Sequence, residues 1–290
     1  MDTITAAYLN RLGLDAEHPS VEALTRLHRA HVERIPYETF WIHLGQQWGI
    51  DPVETTLRAA TTRRGGYCFQ LNGAFATLLR SLGYRVSINV AGVHEATGPD
   101  ASTLRNHAAV IVDGLASESN PGGRWWVDAG LGDALYDPMP LSDTVVAQGP
   151  LRFGMAAVGA DGVGDWHLSH DPSGSFTGVS LVDEAVSLDV FTERHHFNAT
   201  SPESGFAKTV TAQRRSASGT SVMRGCVLTV RAGAETTSRT CESLPEWLDV
   251  LEGEFDLSLD DVPSTAVAQL WTSVRRAHDA WLDGSSRKSA

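Results

Sequence analysis

Arg63-Arg64-Gly65-Gly66-Tyr67-Cys68-Phe69-Gln70-Leu71-Asn72 is the stretch on which the fold turns. Gly65 and Gly66 permit backbone conformations that a Cβ forbids, so the chain can bend tightly there. Ala74 to Leu82 reads as a buried helix. A cysteine just after the bend therefore falls in that helix's first turn. Helix dipole and unpaired amides favour a thiolate at this place, and the two preceding arginines add positive charge. The pattern is that of an activated cysteine nucleophile, which needs a base from elsewhere in the chain.

The remaining composition sets limits around that nucleophile. With 290 residues, 42% hydrophobic and 20% charged, the chain can bury a substantial core as one large or two to three small domains. A formal net charge of -12 argues against nonspecific binding to nucleic acid or anionic membranes. The apolar runs are far shorter than the roughly 20 residues of a membrane helix. Met1-Asp2-Thr3-Ile4 lacks the basic and apolar regions of a signal peptide. Cys68, Cys226 and Cys241 cannot all pair, so no disulfide framework is expected. A soluble cytoplasmic protein with reduced thiols is the expectation.

Upstream of Cys68 the pattern is helical. Ile4, Tyr8, Leu9 and Leu12 recur at helical spacing and end at Gly13, and Ser20 caps a second helix through Val21, Leu24, Leu27 and His31. Ile35-Pro36 ends it, and Asp51-Pro52 starts a short third helix. From Tyr84 the period changes to two: Arg85 to Val90, His107 to Val112 followed by an Asp113-Gly114 hairpin turn, and Arg124 to Asp128 read as strands. Leu151 to Val158, Asp165 to Ser169 and Phe176 to Leu181 continue as short strands, which suggests an antiparallel sheet or barrel. Val186 to Phe197 is open between helix and linker. Thr209 to Arg214, Thr220 to Met223 and Cys226 to Arg231 read as strands of a further unit. Leu244 to Glu252 and Ser264 to Trp281 close the chain as helices, with a polar, frayed tail from Gly284 to Ala290.

Among eleven histidines, His107 stands out because it opens a strand at the edge of a predicted sheet. Asp128 ends the strand Trp125-Trp126-Val127, of which one tryptophan is expected buried and one exposed. A carboxylate there can accept the His107 Nδ1–H bond and leave Nε2 toward sulfur. His167, His170, His195 and His196 lack a cysteine or carboxylate cluster at zinc spacing, and His28 with His31 lacks a third ligand, so no metal is expected. Cys226 and Cys241 read as structural.

Arg64-Gly65-Gly66-Tyr67-Cys68-Phe69, Asn106-His107 and Trp126-Val127-Asp128-Ala129-Gly130-Leu131-Gly132 resemble the three motifs of the arylamine N-acetyltransferases, in order. His31 with Ile35-Pro36-Tyr37-Glu38, and Ser201-Pro202 before Phe206, extend the resemblance over roughly Tyr8 to Val230. It implies an α+β fold with a cysteine-peptidase-like core: a helical bundle at 1–83, an antiparallel β-barrel at 84–197 and an α/β lid at 198–290. It further implies a Cys68, His107 and Asp128 triad, and ping-pong transfer of an acetyl group from acetyl-CoA to an aromatic amine, hydrazine or hydroxylamine. Tyr37, Phe69, Leu131 and Phe206 are then the substrate-binding residues, with the Cys68 amide as oxyanion donor.

Some positions depart from the family pattern. Gln70 replaces a glutamate, Thr39 an asparagine, and Tyr37 and Leu131 phenylalanines. Relatives that act as amide synthases, taking a longer acyl group from acyl-CoA or an acyl carrier protein, give the alternative reading; hydrolysis by the same residues is a third. Arg63 and Arg64 are candidates either for CoA phosphates or for supporting the turn.

Overall fold

The computed structural model describes residues 2–95 and 98–288. Helices α1 (Thr3–Leu12) and α2 (Val21–Arg34) begin at Asp2 and Ser20, whose side chains accept from first-turn amides, and α1 stops where Gly13 takes a left-handed conformation. A two-residue strand β1 (Tyr37–Glu38) and a short helix α3 (Phe40–His43) follow the Pro36 break. Helix α4 (Pro52–Thr61) is capped by Asp51, and α5 (Cys68–Ser81) begins at the cysteine itself.

Eight strands then form one antiparallel sheet: β2 (Arg85–His94), β3 (His107–Asp113), β4 (Trp125–Val127), β5 (Met139–Pro140), β6 (Thr144–Gln148), β7 (Leu151–Ala157), β8 (Trp166–Ser169) and β9 (Gly178–Val186). Their spatial order is β5-β4-β3-β2-β9-β8-β7-β6. Strand β3 is covered on both faces. Ala108, Val110 and Val112 pack with Phe75 and Leu79 of α5, whereas Ala109 and Ile111 share a core with Phe153 and Leu168. Side chains of β3 can meet those of β7 and β8 only if the sheet curls on itself, so it forms a nearly closed barrel.

After β9 come α6 (Thr192–Thr200), α7 (Gly205–Lys208) and the strands β10 (Thr211–Ser216), β11 (Gly219–Arg224), β12 (Val227–Ala232) and β13 (Glu235–Thr240). These strands extend β1 into a five-stranded sheet ordered β1-β10-β11-β12-β13. Helices α8 (Leu244–Phe255) and α9 (Ser264–Lys288) cover it through Trp247, Leu251, Val267, Leu270 and Val274. No helix among the described residues is long and apolar enough to cross a membrane.

Several details differ from the sequence reading. Asp113-Gly114 does not make a tight hairpin: residues 114–124 form a longer loop before β4, closed by Leu115 N–H to Gly123 O at 3.0 Å. His107 is not on an edge strand, because β3 lies between β2 and β4. Trp125 and Trp126 are both buried, since one faces the helices and the other the barrel interior. Residues 192–200 settle as helix, and α9 runs through Gly284 to Lys288, past the expected fraying point; Ser289 and Ala290 lie outside the described residues.

Both arginines of the opening stretch are spent on ion pairs. Arg64 is buried with Glu38, Nε to Oε1 3.1 Å, and reaches Asp261 at 3.1 Å. Arg63 pairs with Glu252 and Asp256. The positive charge expected beside Cys68 is therefore locally neutralised, and the pair supports the turn rather than a phosphate. Gly65, which follows the two arginines, lies so close to Pro36 that an added Cβ would sit 1.8 Å from its carbonyl oxygen. Removing one member of a buried pair strands the other charge, at a cost of about 3–5 kcal/mol. Arg64→Met is expected to lower unfolding free energy by about that much in urea titration. Arg26→Ala, which breaks an exposed pair with Glu17, is expected to cost about 1 kcal/mol or less.

Candidate active site

Cys68 is the first residue of α5, so its N–H has no carbonyl within the helix to meet. The helix start is held by Gln70, whose Oε1 accepts from Tyr67 N at 3.1 Å while Nε2 donates to Gly49 O at 3.1 Å. A glutamate could take the first bond but would face the Gly49 carbonyl without a hydrogen. The glutamine is thus matched to its local partners.

His107 arrives from the other side. Asn106 bonds both Val93 N (2.8 Å) and Val93 O (3.1 Å) through its side chain, extending the β2–β3 pairing to the point where His107 begins its strand. Cys68 Sγ lies 4.0 Å from Asn106 O. The β3–β4 register pairs Val110 with Val127, and continuing it sets Asp128 opposite Ala109. His107, two residues from Ala109, is then the diagonal neighbour on the same face. His107 Nε2 lies 2.8 Å from Asp128 Oδ2. This corrects the orientation anticipated from sequence: Nε2 goes to the carboxylate, leaving Nδ1 for the sulfur. Ring orientation depends on the angle between the helix start and the strand, which no spacing encodes.

Asp128 is buried, yet all its acceptor capacity is used. Oδ2 also accepts from Trp126 Nε1 (2.9 Å), and Oδ1 accepts from Asn72 Nδ2 (2.7 Å) and Gly130 N (3.0 Å). Its own N–H donates to His28 Nε2 at 3.0 Å, and His28 Nδ1 donates to Tyr136 O at 2.9 Å. Burial holds His28 below its ordinary value, which keeps the neutral tautomer these two bonds need. Asn72 is the residue sequence reasoning missed. One helical turn after Cys68, it also donates to Ala108 O (2.6 Å) and accepts from Ala129 N (2.9 Å), locking α5 to β3 and to the segment after β4. Its place four residues after Cys68, polar between the apolar Leu71 and Ala74, was the available signal.

The same arrangement sets the protonation states. Burial alone would lower His107, but the Asp128 charge and hydrogen bond, joined by Cys68, push it up to about 10. Burial raises Asp128, and the His107 charge together with the bonds from His107, Asn72 and Trp126 overcomes it, holding the carboxyl below its ordinary 3.8. Gly130 brings the backbone of the Asp128 loop against Cys68: a Cβ there would meet Cys68 Cα at 2.6 Å.

Cys68 and His107 open into a cleft of about 610 Å³. Tyr37, Leu131 and Phe206 line it with them. Phe69 does not: it is fully buried, its ring stacked 4.9 Å from Phe191, because one residue along a helix turns the side chain away from the Cys68 direction. His195 is a packing residue, bonded to the Tyr67 hydroxyl (2.7 Å) and Trp48 O (2.8 Å).

A family-level sequence profile described as N-acetyltransferase matches residues 20–263. The arylamine N-acetyltransferase / N-hydroxyarylamine O-acetyltransferase of Salmonella typhimurium is 33% identical over 152 residues, covering 52% of this chain and 52% of that protein. An N-malonyltransferase of Gibberella moniliformis is 33% identical over 132 residues, 43% of this chain and 37% of that protein. The chain spans about half the length of the curated relatives it matches. Among solved structures, the Nocardia farcinica arylamine N-acetyltransferase superposes with a TM-score of 0.79 at 26% identity, over 92% of this chain and 93% of that one. The Mycobacterium marinum arylamine N-acetyltransferase in complex with CoA is similar in fold, with a TM-score of 0.82 at 22% identity over 94% and 99% of the two chains.

The raised His107 value carries a signed stability prediction. A group whose folded value exceeds its ordinary 6.5 adds stability that is fully present below about 6.5 and is lost as pH rises through about 10. Urea midpoints measured from pH 6.5 to 10 are expected to fall more steeply for the native protein than for His107→Gln. Asp128 works in the other direction, its contribution present above 3.8 and lost as pH falls through the lowered value.

Proposed function

The chain belongs to the arylamine N-acetyltransferase family, and on that basis we propose that it moves an acetyl group from acetyl-CoA to an aromatic amine, hydrazine or hydroxylamine through a Cys68 thioester. The observation that carries this reading is geometric: His107, its Nε2 2.8 Å from Asp128 Oδ2, shares a cleft with a cysteine at a helix start. An imidazolium is the counter-ion that a thiolate requires.

Each half-reaction balances on these groups. Cys68 sulfur bonds to the acyl carbon, the tetrahedral oxyanion collapses, and the CoA sulfur leaves with the His107 proton. The amine nitrogen then attacks the Cys68 thioester and passes a proton to His107, and Cys68 departs as thiolate. Asp128 orients the ring and stabilises its charge in both halves. The Cys68 N–H is the candidate donor to the oxyanion. Tyr37, Leu131 and Phe206 supply the wall for the amine's ring.

A bulkier acyl group is a second reading. The cleft is roomy, Leu131 stands where the family resemblance places a phenylalanine, and one relative is an N-malonyltransferase. Intact-protein mass spectrometry with acetyl-CoA and no amine is expected to show one acetyl adduct on Cys68 that disappears when an arylamine is added. Cys68→Ala should show none, and Asp128→Asn should form the adduct about 10²–10⁴-fold more slowly. Preference for longer acyl-CoAs over acetyl-CoA would favour the second reading; no adduct from any thioester would refute both.

A further inference from the structure

One wall of the cleft is the five-stranded sheet, and its register fixes which side chains share a face. Tyr37 pairs with Gln213 and Gln213 with Val222; Thr211 pairs with Arg224. Thr39 continues β1 opposite Thr211, with Thr39 N to Thr211 O at 3.0 Å and Thr211 N to Thr39 Oγ1 at 2.9 Å. Thr39, Thr211 and Arg224 thus form one row across three chain segments, next to the row that begins at Tyr37. Residues opposite one another, or two apart on one strand, point to the same face. All of these but Val222 line the cleft that holds Cys68.

Arg224 is the cation of this wall, and it is solvent-exposed with no carboxylate partner among the described residues. Burial holds the Tyr37 phenol well above its ordinary range; Cys68 pushes the same way and Arg224 opposes. Tyr37 therefore sits within the influence of both the nucleophile and the guanidinium. The rows are roughly 7 Å apart along the strand, so Arg224 stands one row from Tyr37 on the face that lines the cleft with Cys68. Thr39 Oγ1, which accepts from Thr211 N, keeps its own hydrogen to donate. The cleft lining also carries Arg194 and Lys208 against the carboxylates Glu95 and Glu203, a local excess of positive charge in a chain of formal net charge -12. Such a cleft concentrates anions.

We propose that Arg224 determines acyl specificity, binding a carboxylate at the far end of the acyl chain, so that the site takes monothioesters of dicarboxylic acids, malonyl and succinyl, as well as acetyl. This rests on the acyl-transfer reading above, and the bond changes at Cys68 are the same. A guanidinium grips a carboxylate through two parallel hydrogen bonds, which an acetyl group cannot engage.

The test is the rate of Cys68 acylation without amine, read by intact mass, for the native chain, Arg224→Met and Arg224→Lys. Donors are malonyl-CoA, succinyl-CoA and acetyl-CoA, and the acetyl and malonyl thioesters of N-acetylcysteamine, which lack phosphates. The malonyl-to-acetyl rate ratio is expected to fall at least tenfold in Arg224→Met with both carriers, and to recover in part in Arg224→Lys. An unchanged ratio overturns the proposal. So does an equal loss for all CoA donors with none for the cysteamine thioesters, which would make Arg224 a phosphate contact. A loss confined to the later transfer onto a carboxylated arylamine would assign it to the acceptor and overturn the proposal as well. Native protein acylated by acetyl but not by malonyl or succinyl donors overturns this inference alone, whereas no acylation from any donor overturns the acyl-transfer reading with it.

Discussion

A single buried carboxylate organises this molecule. Asp128 can remain ionised away from water only because four donors meet its two oxygens, and each donor comes from a different local structure: Asn72 from α5, His107 from β3, Trp126 from β4 and Gly130 from the loop beyond. A fifth contact, from the Asp128 amide to His28, adds α2. An uncompensated buried charge is costly. Helices and barrel must therefore dock in one geometry for it to be satisfied, and that geometry presents His107 to Cys68.

The charges around Cys68 follow from this arrangement. Arg63 and Arg64 are adjacent in sequence but are consumed by Glu38, Asp261, Glu252 and Asp256, where they tie the cysteine turn to β1 and to the C-terminal segment. The side chain that strand register brings toward the sulfur is His107, 39 residues from Cys68 in sequence and bonded to Asp128. The two sets of ion pairs share no residue: the arginine pairs fix the turn, and the other joins Asp128 to His107, which lines the cleft with Cys68.

Much of this could be read in the chain before its fold was known. The helix end at Gly13, the starts at Ser20 and Asp51, the break at Pro36 and the change of period at Tyr84 are local signals that tertiary packing leaves intact. The glycine turn, the strand-opening His107 and the strand-ending Asp128 were visible for the same reason. What was not legible depends on packing between distant segments. The ring orientation of His107, the burial of both Trp125 and Trp126, and the interior place of β3 all follow from the curl of the barrel against α5. Phe69 was drawn in by its neighbour in the motif, although helical geometry turns it into the core. Asn72 was overlooked because its partners, Ala108, Asp128 and Ala129, lie 36 to 57 residues away.

The central claim is that Asp128, acting through His107, governs the reactivity of the Cys68 sulfur. Iodoacetamide alkylation of Cys68 at pH 7, followed by peptide mass mapping, tests it without assuming any substrate. Native protein is expected to be alkylated at least tenfold faster than Asp128→Asn, with circular dichroism confirming that the variant is folded. Equal rates in two folded proteins would contradict the account.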